Sequence, residues 1–329
     1  MHYAYKLKEV FIIKAAIVKN KGILPVIEEI EVPVQSTEDE LILTVKASAL
    51  TMVGKSSSLG SHYSSHDAFP KVAGIEGVGE DISGNRFYFI GSQNPYGALA
   101  EQTLVNKKRT VKIPEKLDTI TAAAIANPGM SSYAALVYRA KITSNDVVLI
   151  NGATGTAGIL AVKMAYALGA KKVIAIGRNK DALERSGADE YLSSSDYDNN
   201  EQTQYLVDLG KIIADVTIVL DYLWGNTAQL IMQAIYQFSN HQSEIRYIQI
   251  GTLVSPEINV PGALLRSTKL TLMGSGLGSV GSKELLSSAE RVFELAVINH
   301  WHVPNITFKL EDIKKAWKAP SHPRPVIII

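Results

Sequence analysis

Two short stretches of this 329-residue chain carry residue types and spacings suited to holding phosphate. The first, Asn151-Gly152-Ala153-Thr154-Gly155-Thr156-Ala157-Gly158, has a glycine at every third position. A glycine can turn the chain sharply off a strand, admit an anion close to the backbone amides, and let a helix pack tightly on a sheet. The second stretch, Gly177-Arg178-Asn179-Lys180, lies about 20 residues further on, where dinucleotide-binding units that prefer NAD place an Asp or Glu for the ribose 2′-hydroxyl. A carboxylate there would repel a 2′-phosphate, whereas Arg178 offers a planar fork to it and Lys180 a nearby point charge. The pair therefore points to NADPH; a solvated helix start is the plainer alternative for the same two residues.

These residues need a buried strand before the turn, a helix after it and a second buried strand. Val147-Val148-Leu149-Ile150 supplies the first, Ile159, Val162, Ala165 and Tyr166 recur at helical spacing before Gly169, and Val173-Ile174-Ala175-Ile176 supplies the second. No Gly-Lys-Ser/Thr follows the glycines, so a P-loop is excluded. From Ala122 onward, helices alternate with apolar strands near 147–151, 172–176, 216–220, 245–250 and 269–273, the pattern of a parallel sheet. Such a sheet binds ligands beyond its C-terminal strand ends. The part before residue 122 instead shows short alternating strands and many glycines, which predicts a mostly β domain. Residues 1–13 read as an extension ahead of a strand near Lys14, and Ser193–Gln204 as a polar connection.

Composition narrows the functions. With 33 basic against 32 acidic residues and a formal charge of +1, neither nucleic acid nor an anionic membrane is indicated as a partner. The apolar fraction of 46% supports sizeable cores, and the length favours two domains. There is no cysteine, which removes disulfides, thiol nucleophiles and thiolate metal sites and suits a reducing, cytoplasmic location. His62, His66 and Asp67 have spacing for a metal site, but the surrounding Gly60–His66 segment reads as a loop, so solvated histidines are the expectation and no metal is predicted. A short-chain reductase needs a Tyr-x-x-x-Lys pair, and none of the 14 tyrosines has a lysine four residues on.

Further motifs occur in a characteristic order: Gly74-x-Glu76-Gly77-Val78-Gly79, Gly97-Ala98-Leu99-Ala100-Glu101, Asn127-Pro128-Gly129-Met130-Ser131-Ser132-Tyr133, the glycine turn, and Leu310-Glu311-Asp312-Ile313 with Trp317. In these the chain resembles the medium-chain dehydrogenase/reductase superfamily, specifically its zinc-free quinone oxidoreductase branch, from Lys14 to Ile329. The resemblance implies a Rossmann-type doubly wound parallel sheet plus a mostly β, GroES-like catalytic domain. The boundaries expected are 1–121 for the first part of the catalytic domain, 122–276 for the dinucleotide-binding domain and 277–329 for the return to the catalytic domain. Zinc-dependent members use a cysteine and a histidine for the catalytic metal; here Ile75 precedes Glu76 and no cysteine exists.

By the same resemblance, Ser131 would approach the nicotinamide, Thr154, Gly155, Thr156 and Ala157 would hold the pyrophosphate, and Gly177, Arg178, Asn179 and Lys180 would surround the 2′-phosphate. Gly251-Thr252-Leu253 and Gly274-Ser275-Gly276 would line the nicotinamide side. Arg324 stands where relatives often carry an arginine before the last strand, and reads equally as a surface residue. Thr51 occupies the place of an asparagine or of the zinc cysteine in relatives. Tyr63, in Gly60-Ser61-His62-Tyr63, resembles the proton-donating tyrosine of enoyl reductases with one residue inserted, and reads equally as a surface tyrosine. The implied activity is zinc-independent, NADPH-dependent reduction of quinones or α,β-unsaturated carbonyls by a homodimer. A non-catalytic, redox-responsive NADPH-binding protein and an alcohol dehydrogenase-like enzyme are the alternatives.

Overall fold

The structure, a computed structural model, describes residues 11–63, 65, 68–198 and 200–329. His66 and Asp67 of the metal alternative, and residues 1–10 of the N-terminal extension, lie outside the described residues. The chain divides into two compact units, one running up to Ala124 and taking in Pro304–Ile329, the other spanning Ile125–Val303.

In the first unit, the strands Asn305–Lys309, Arg324–Ile328, Glu40–Ala49, Glu76–Glu80, Arg86–Ile90 and Thr110–Lys112 line up in that order, and Gln102–Asn106 also pairs with Glu40–Ala49. Ile12–Val18 lies between Val26–Glu31 and Lys71–Val72 in a smaller sheet. Alternation along the strands turns Leu43, Val45, Phe89 and Val105 into one core, as a half-buried antiparallel sheet requires. The C-terminal strand closes this sheet through Val326, Ile327 and Ile328, which pair with Ala49, Ser48 and Ala47.

The second unit is built on a six-stranded parallel sheet. Counted in chain order, its strands Val147–Asn151, Lys172–Gly177, Glu190–Ser193, Ile218–Asp221, Ile245–Gln249 and Leu270–Gly274 lie side by side as 3-2-1-4-5-6. That is the doubly wound order, whose switch point falls between the first and fourth strands. Val147–Asn151 is buried at every position, since helices cover both faces of such a sheet. The short strand Glu190–Ser193 was absent from the sequence expectation: it is an outer strand of four residues, half polar, without an apolar run. Leu270–Gly274 forms the other edge, as expected.

The second unit also extends further than the expected end at 276. The helix Ser282–Ile298 buries Leu285, Ala289, Val292 and Phe293. It approaches Gly129 of the helix Thr119–Ala134 so closely that a Cβ there would lie 2.6 Å from Val292 Cγ1. Its amphipathic pattern announces a helix but not which unit it covers.

At the N-terminal end of the sheet, Asp146 is almost fully buried. Its carboxylate accepts from Thr217 Oγ1 at 2.7 Å, from Thr143 N at 2.7 Å and from the Arg246 guanidinium. Arg246 also donates to Ala140 O at 2.5 Å. Burial alone would raise the Asp146 pKa, but the bonds from Thr217 and Thr143 and the charge of Arg246 outweigh it and hold the group below 3.8. A carboxylate whose folded pKa is depressed stabilises the fold above its unfolded pKa and loses that contribution as pH falls through the folded value. Asp146→Asn should therefore cost about 2 kcal/mol at neutral pH, discounted for the part-exposed guanidinium. The difference from wild type should shrink as pH drops below about 4. Denaturant titrations from about pH 7 down to about pH 2.5 check this across the carboxylate range, and a pH-independent difference would refute it.

At the C-terminal end of the first strand, packing is tightest at Gly158. A Cβ there would stand 2.2 Å from Gly152 O and 2.5 Å from Ala153 Cα. Gly158→Ala should destabilise the second unit by at least about 2 kcal/mol through overpacking. Gly274→Ala, whose added carbon meets nothing within 4 Å, should stay within about 0.5 kcal/mol. Paired chemical denaturation curves test both.

Candidate functional site

The turn after Val147–Asn151 is made by Gly152, whose φ of +94° suits a residue without a side chain. Gly152 N and Ala153 N both donate to Ile176 O, at 2.9 and 3.0 Å, which ties the turn to the neighbouring strand. Gly155 is the extended N-cap residue of the helix Thr156–Ala167, and no side chain caps that end. A Cβ on Gly155 would find only Gly152 O, at 3.7 Å, so this flank of the turn is open. An uncapped helix start beside a side-chain-free turn fits a dinucleotide pyrophosphate, whose charge it would meet with backbone amides and the positive end of the helix dipole. Thr154, Gly155, Thr156 and Ala157 are brought together there.

At the end of the adjacent strand, Gly177 lies against Thr154. Arg178 is exposed, and among the described residues its guanidinium has no hydrogen-bond or ion-pair partner. Lys180 differs: its ammonium is 3.1 Å from Asp196, and the bond and charge of that carboxylate raise its pKa. Asn179 accepts from Ala182 N at 3.0 Å and so caps the short helix Lys180–Glu184. Of the four residues expected around a phosphate, only Arg178 is a cation with no protein partner among the described residues. Ser193 and Ser195, expected as part of a mere connection, come to this strand end as a hydroxyl pair 2.8 Å apart. The signal that could have found them is the run Ser193-Ser194-Ser195 itself.

On the other side of the switch point, Ser132, one residue beyond the expected Ser131, is fully buried. Its Oγ lies 2.7 Å from Tyr222 Oη and donates to Pro128 O at 2.8 Å, while Ser131 Oγ donates to the same carbonyl at 3.0 Å. Burial raises the Tyr222 pKa, and the bond to Ser132 pulls slightly the other way, so the phenol stays protonated near neutrality. The turns 251–253 and 274–276 are joined at their roots: Gln249 Nε2 donates to Gly251 O at 2.9 Å, and Ser275 N donates to Gln249 O at 2.9 Å. Arg139, in a π-helical turn, donates to Gly274 O at 2.8 Å. Thr252 and Leu253 are exposed, Ser275 is buried, and Gly276 N donates to Ser279 Oγ at 2.9 Å.

The first unit holds the remaining candidates. Thr51 is buried at the start of the helix Met52–Ser58; its Oγ1 accepts from Gly54 N at 3.0 Å and donates to Glu76 Oε1 at 3.1 Å. Tyr88 Oη donates to Glu76 Oε2 at 2.5 Å, and burial followed by the Glu76 charge pushes that phenol well up. Arg324 is not a surface arginine: it is 7% exposed, donates to Leu50 O at 3.3 Å and has a buried Nε with no partner among the described residues. Burial lowers its pKa, against the opposing charge of Glu76. Tyr63 is 75% exposed and lies against the His62 ring at 4.1 Å. The Thr51–Glu76–Tyr88 cluster was not expected beyond Thr51, because nothing in the spacing of residues 51, 76 and 88 shows that strands bring them together.

No protein-family model matches the chain. A probable NADPH-dependent quinone reductase of Emericella nidulans is 28% identical over 305 residues, covering 80% of this chain and 84% of the relative. The quinone oxidoreductase of Homo sapiens is 26% identical over 262 residues, covering 76% of this chain and 74% of its own. Among solved structures, the quinone oxidoreductase of Thermus thermophilus, described also in complex with NADPH, shares the fold with a TM-score of 0.76 at 22% identity, over 96% of this chain and 100% of that one. The ordered motifs, the 3-2-1-4-5-6 sheet with its glycine turn and these likenesses agree: the chain is similar to quinone oxidoreductases, which supports the medium-chain dehydrogenase/reductase superfamily and its quinone oxidoreductase-like branch.

Proposed function

We propose that this chain is an NADPH-dependent oxidoreductase that reduces quinones or α,β-unsaturated carbonyls by hydride transfer without zinc. The observation that carries the reading is the open turn at Gly155, whose helix start has no side-chain cap, together with the exposed Arg178, whose guanidinium has no partner among the described residues. The names of the two curated relatives given above, a probable NADPH-dependent quinone reductase and a quinone oxidoreductase, support it.

In this reading, the amides from Thr154 to Ala157 hold the pyrophosphate and Arg178 takes the 2′-phosphate as a bidentate fork. Ser131 and the turns 251–253 and 274–276 orient the nicotinamide half, and Arg324 is a further residue proposed for cofactor binding. The bound nicotinamide supplies the hydride. An electron-poor double bond that accepts it needs only a hydrogen bond on the developing oxyanion and then a proton, so positioning and preorganised donors can suffice. Thr51 and Tyr63 are the hydroxyls proposed for that end. Thr51 has one proton, which Glu76 Oε1 receives in the geometry described, so donation to a substrate oxygen requires the hydroxyl to turn away from Glu76. We further place the protein in the cytoplasm as a homodimer that pairs the exposed edge strand Leu270–Gly274.

The test compares NADPH and NADH oxidation with 9,10-phenanthrenequinone, 1,4-benzoquinone and a short enone, in wild type and Arg178→Ala. Losing charge-assisted bonds to a phosphate costs about 1.5–3 kcal/mol, so KM for NADPH should rise roughly 10- to 150-fold while KM for NADH hardly moves. NADPH binding without turnover on any acceptor would overturn the enzymatic reading in favour of a non-catalytic binder. Equal effects on both cofactors would overturn the role of Arg178.

A further inference from the structure

Asp221 is a fully buried carboxylate that the proposed reaction does not use. It ends the fourth strand of the parallel sheet, at the switch point. Its Oδ1 accepts from Asn151 Nδ2 at 2.8 Å, Leu223 N at 2.9 Å and Trp224 N at 3.0 Å, and its Oδ2 accepts from Tyr247 Oη at 2.7 Å. Its main-chain carbonyl accepts from Ile250 N at 2.8 Å and Gly251 N at 3.1 Å. One residue therefore ties together the ends of the first, fourth and fifth strands, from which the turns at Gly152 and Gly251 spring. All of these donors are neutral, and among the described residues no cation pairs with Asp221.

Asn151 shows that this arrangement is held against a local cost. Its Nδ2 is shared between Asp221 Oδ1 and Thr227 Oγ1, at 2.8 and 3.1 Å, which fixes the direction of the amide. The amide oxygen is then left buried with no partner among the described residues. Buried acceptors without a protein donor are uncommon, and this one lies between the two turns, on the residue that ends the first strand.

We propose that Asp221 and Asn151 are a positioning pair that sets the separation of the glycine turn and the 251–253 turn for the two halves of a bound dinucleotide. The inference rests on the reading of the site as a nicotinamide dinucleotide site. It has a directional consequence. Arg178 follows the second strand, separated by the first strand from Asp221, so the pair governs the pyrophosphate and nicotinamide end and not the 2′-phosphate end.

The experiment measures affinities of the full chain for NADPH and for adenosine 2′-monophosphate, which carries the 2′-phosphate but no pyrophosphate, in wild type, Asp221→Ala, Asp221→Asn and Asn151→Ala. Asp221→Ala should weaken NADPH binding at least about tenfold and leave the fragment unchanged, because several donors are left without an acceptor around the two turns. Asp221→Asn, which keeps an oxygen facing Asn151 and the two amides, should stay within about threefold. A folded Asp221→Ala that weakens both probes alike overturns the proposal, as does a folded Asp221→Ala that binds NADPH like wild type. If Asp221→Ala does not fold, Asn151→Ala carries the test: a selective loss of NADPH affinity supports the pair, and no loss overturns it. A wild type that binds no dinucleotide overturns the reading of the site and this inference with it.

Discussion

The second unit depends on one close contact: the helix Thr156–Ala167 can start directly above the end of the first strand only because residue 158 has no side chain. Any Cβ there would displace the Gly152 carbonyl, and with it the turn whose amides are pinned to Ile176 O. The helix start would then move away from the second strand, where Gly177 rests against Thr154 and Arg178 begins the next loop. An anion site made of backbone amides has no side chains to adjust, so its precision is that of the packing beneath it.

How much of this is legible in the sequence follows from the range over which each constraint acts. A strand buried on both faces has to be apolar throughout, so Val147–Ile150 and Val173–Ile176 declare themselves. The glycine turn is local too, since strand, turn and helix are contiguous. Glu190–Ser193 does not declare itself, because an outer strand of four residues needs neither an apolar run nor full alternation. The helix Ser282–Ile298 is legible as a helix, yet its apolar stripe would suit either unit, and only contact with Gly129 assigns it to the second.

The candidate site divides in the same way. Arg178 could be picked out by its distance along the chain from the glycines, whereas the engagement of Lys180 by Asp196 could not, since nothing local distinguishes a committed lysine from an available one. Asn151 and Asp221 are single polar residues at the ends of apolar strands, 70 positions apart. Their meeting is a consequence of strand order, which places the first and fourth strands side by side. Thr51, Glu76 and Tyr88 converge for the same reason in the first unit: Tyr88 lies opposite Val78 on the strand paired with Glu76–Glu80, and the three are joined through one carboxylate.

The two ends of the parallel sheet handle buried negative charge differently, and the difference separates folding from function. At the N-terminal end, Asp146 meets an arginine and two threonines, an arrangement that binds strand to strand and leaves nothing to recognise. At the C-terminal end, Asp221 meets only amides, an asparagine and a tyrosine. An arginine facing Asp221 would satisfy the carboxylate as well, but it would put a long cation into the space between the two turns, where the dinucleotide is proposed to lie. Neutral donors satisfy Asp221 without occupying that space. Arg178, the residue after the second strand, is exposed and has no partner among the described residues, so in the proposed reading the cation offered to a ligand and the carboxylate that joins the two turns stand on opposite sides of the first strand.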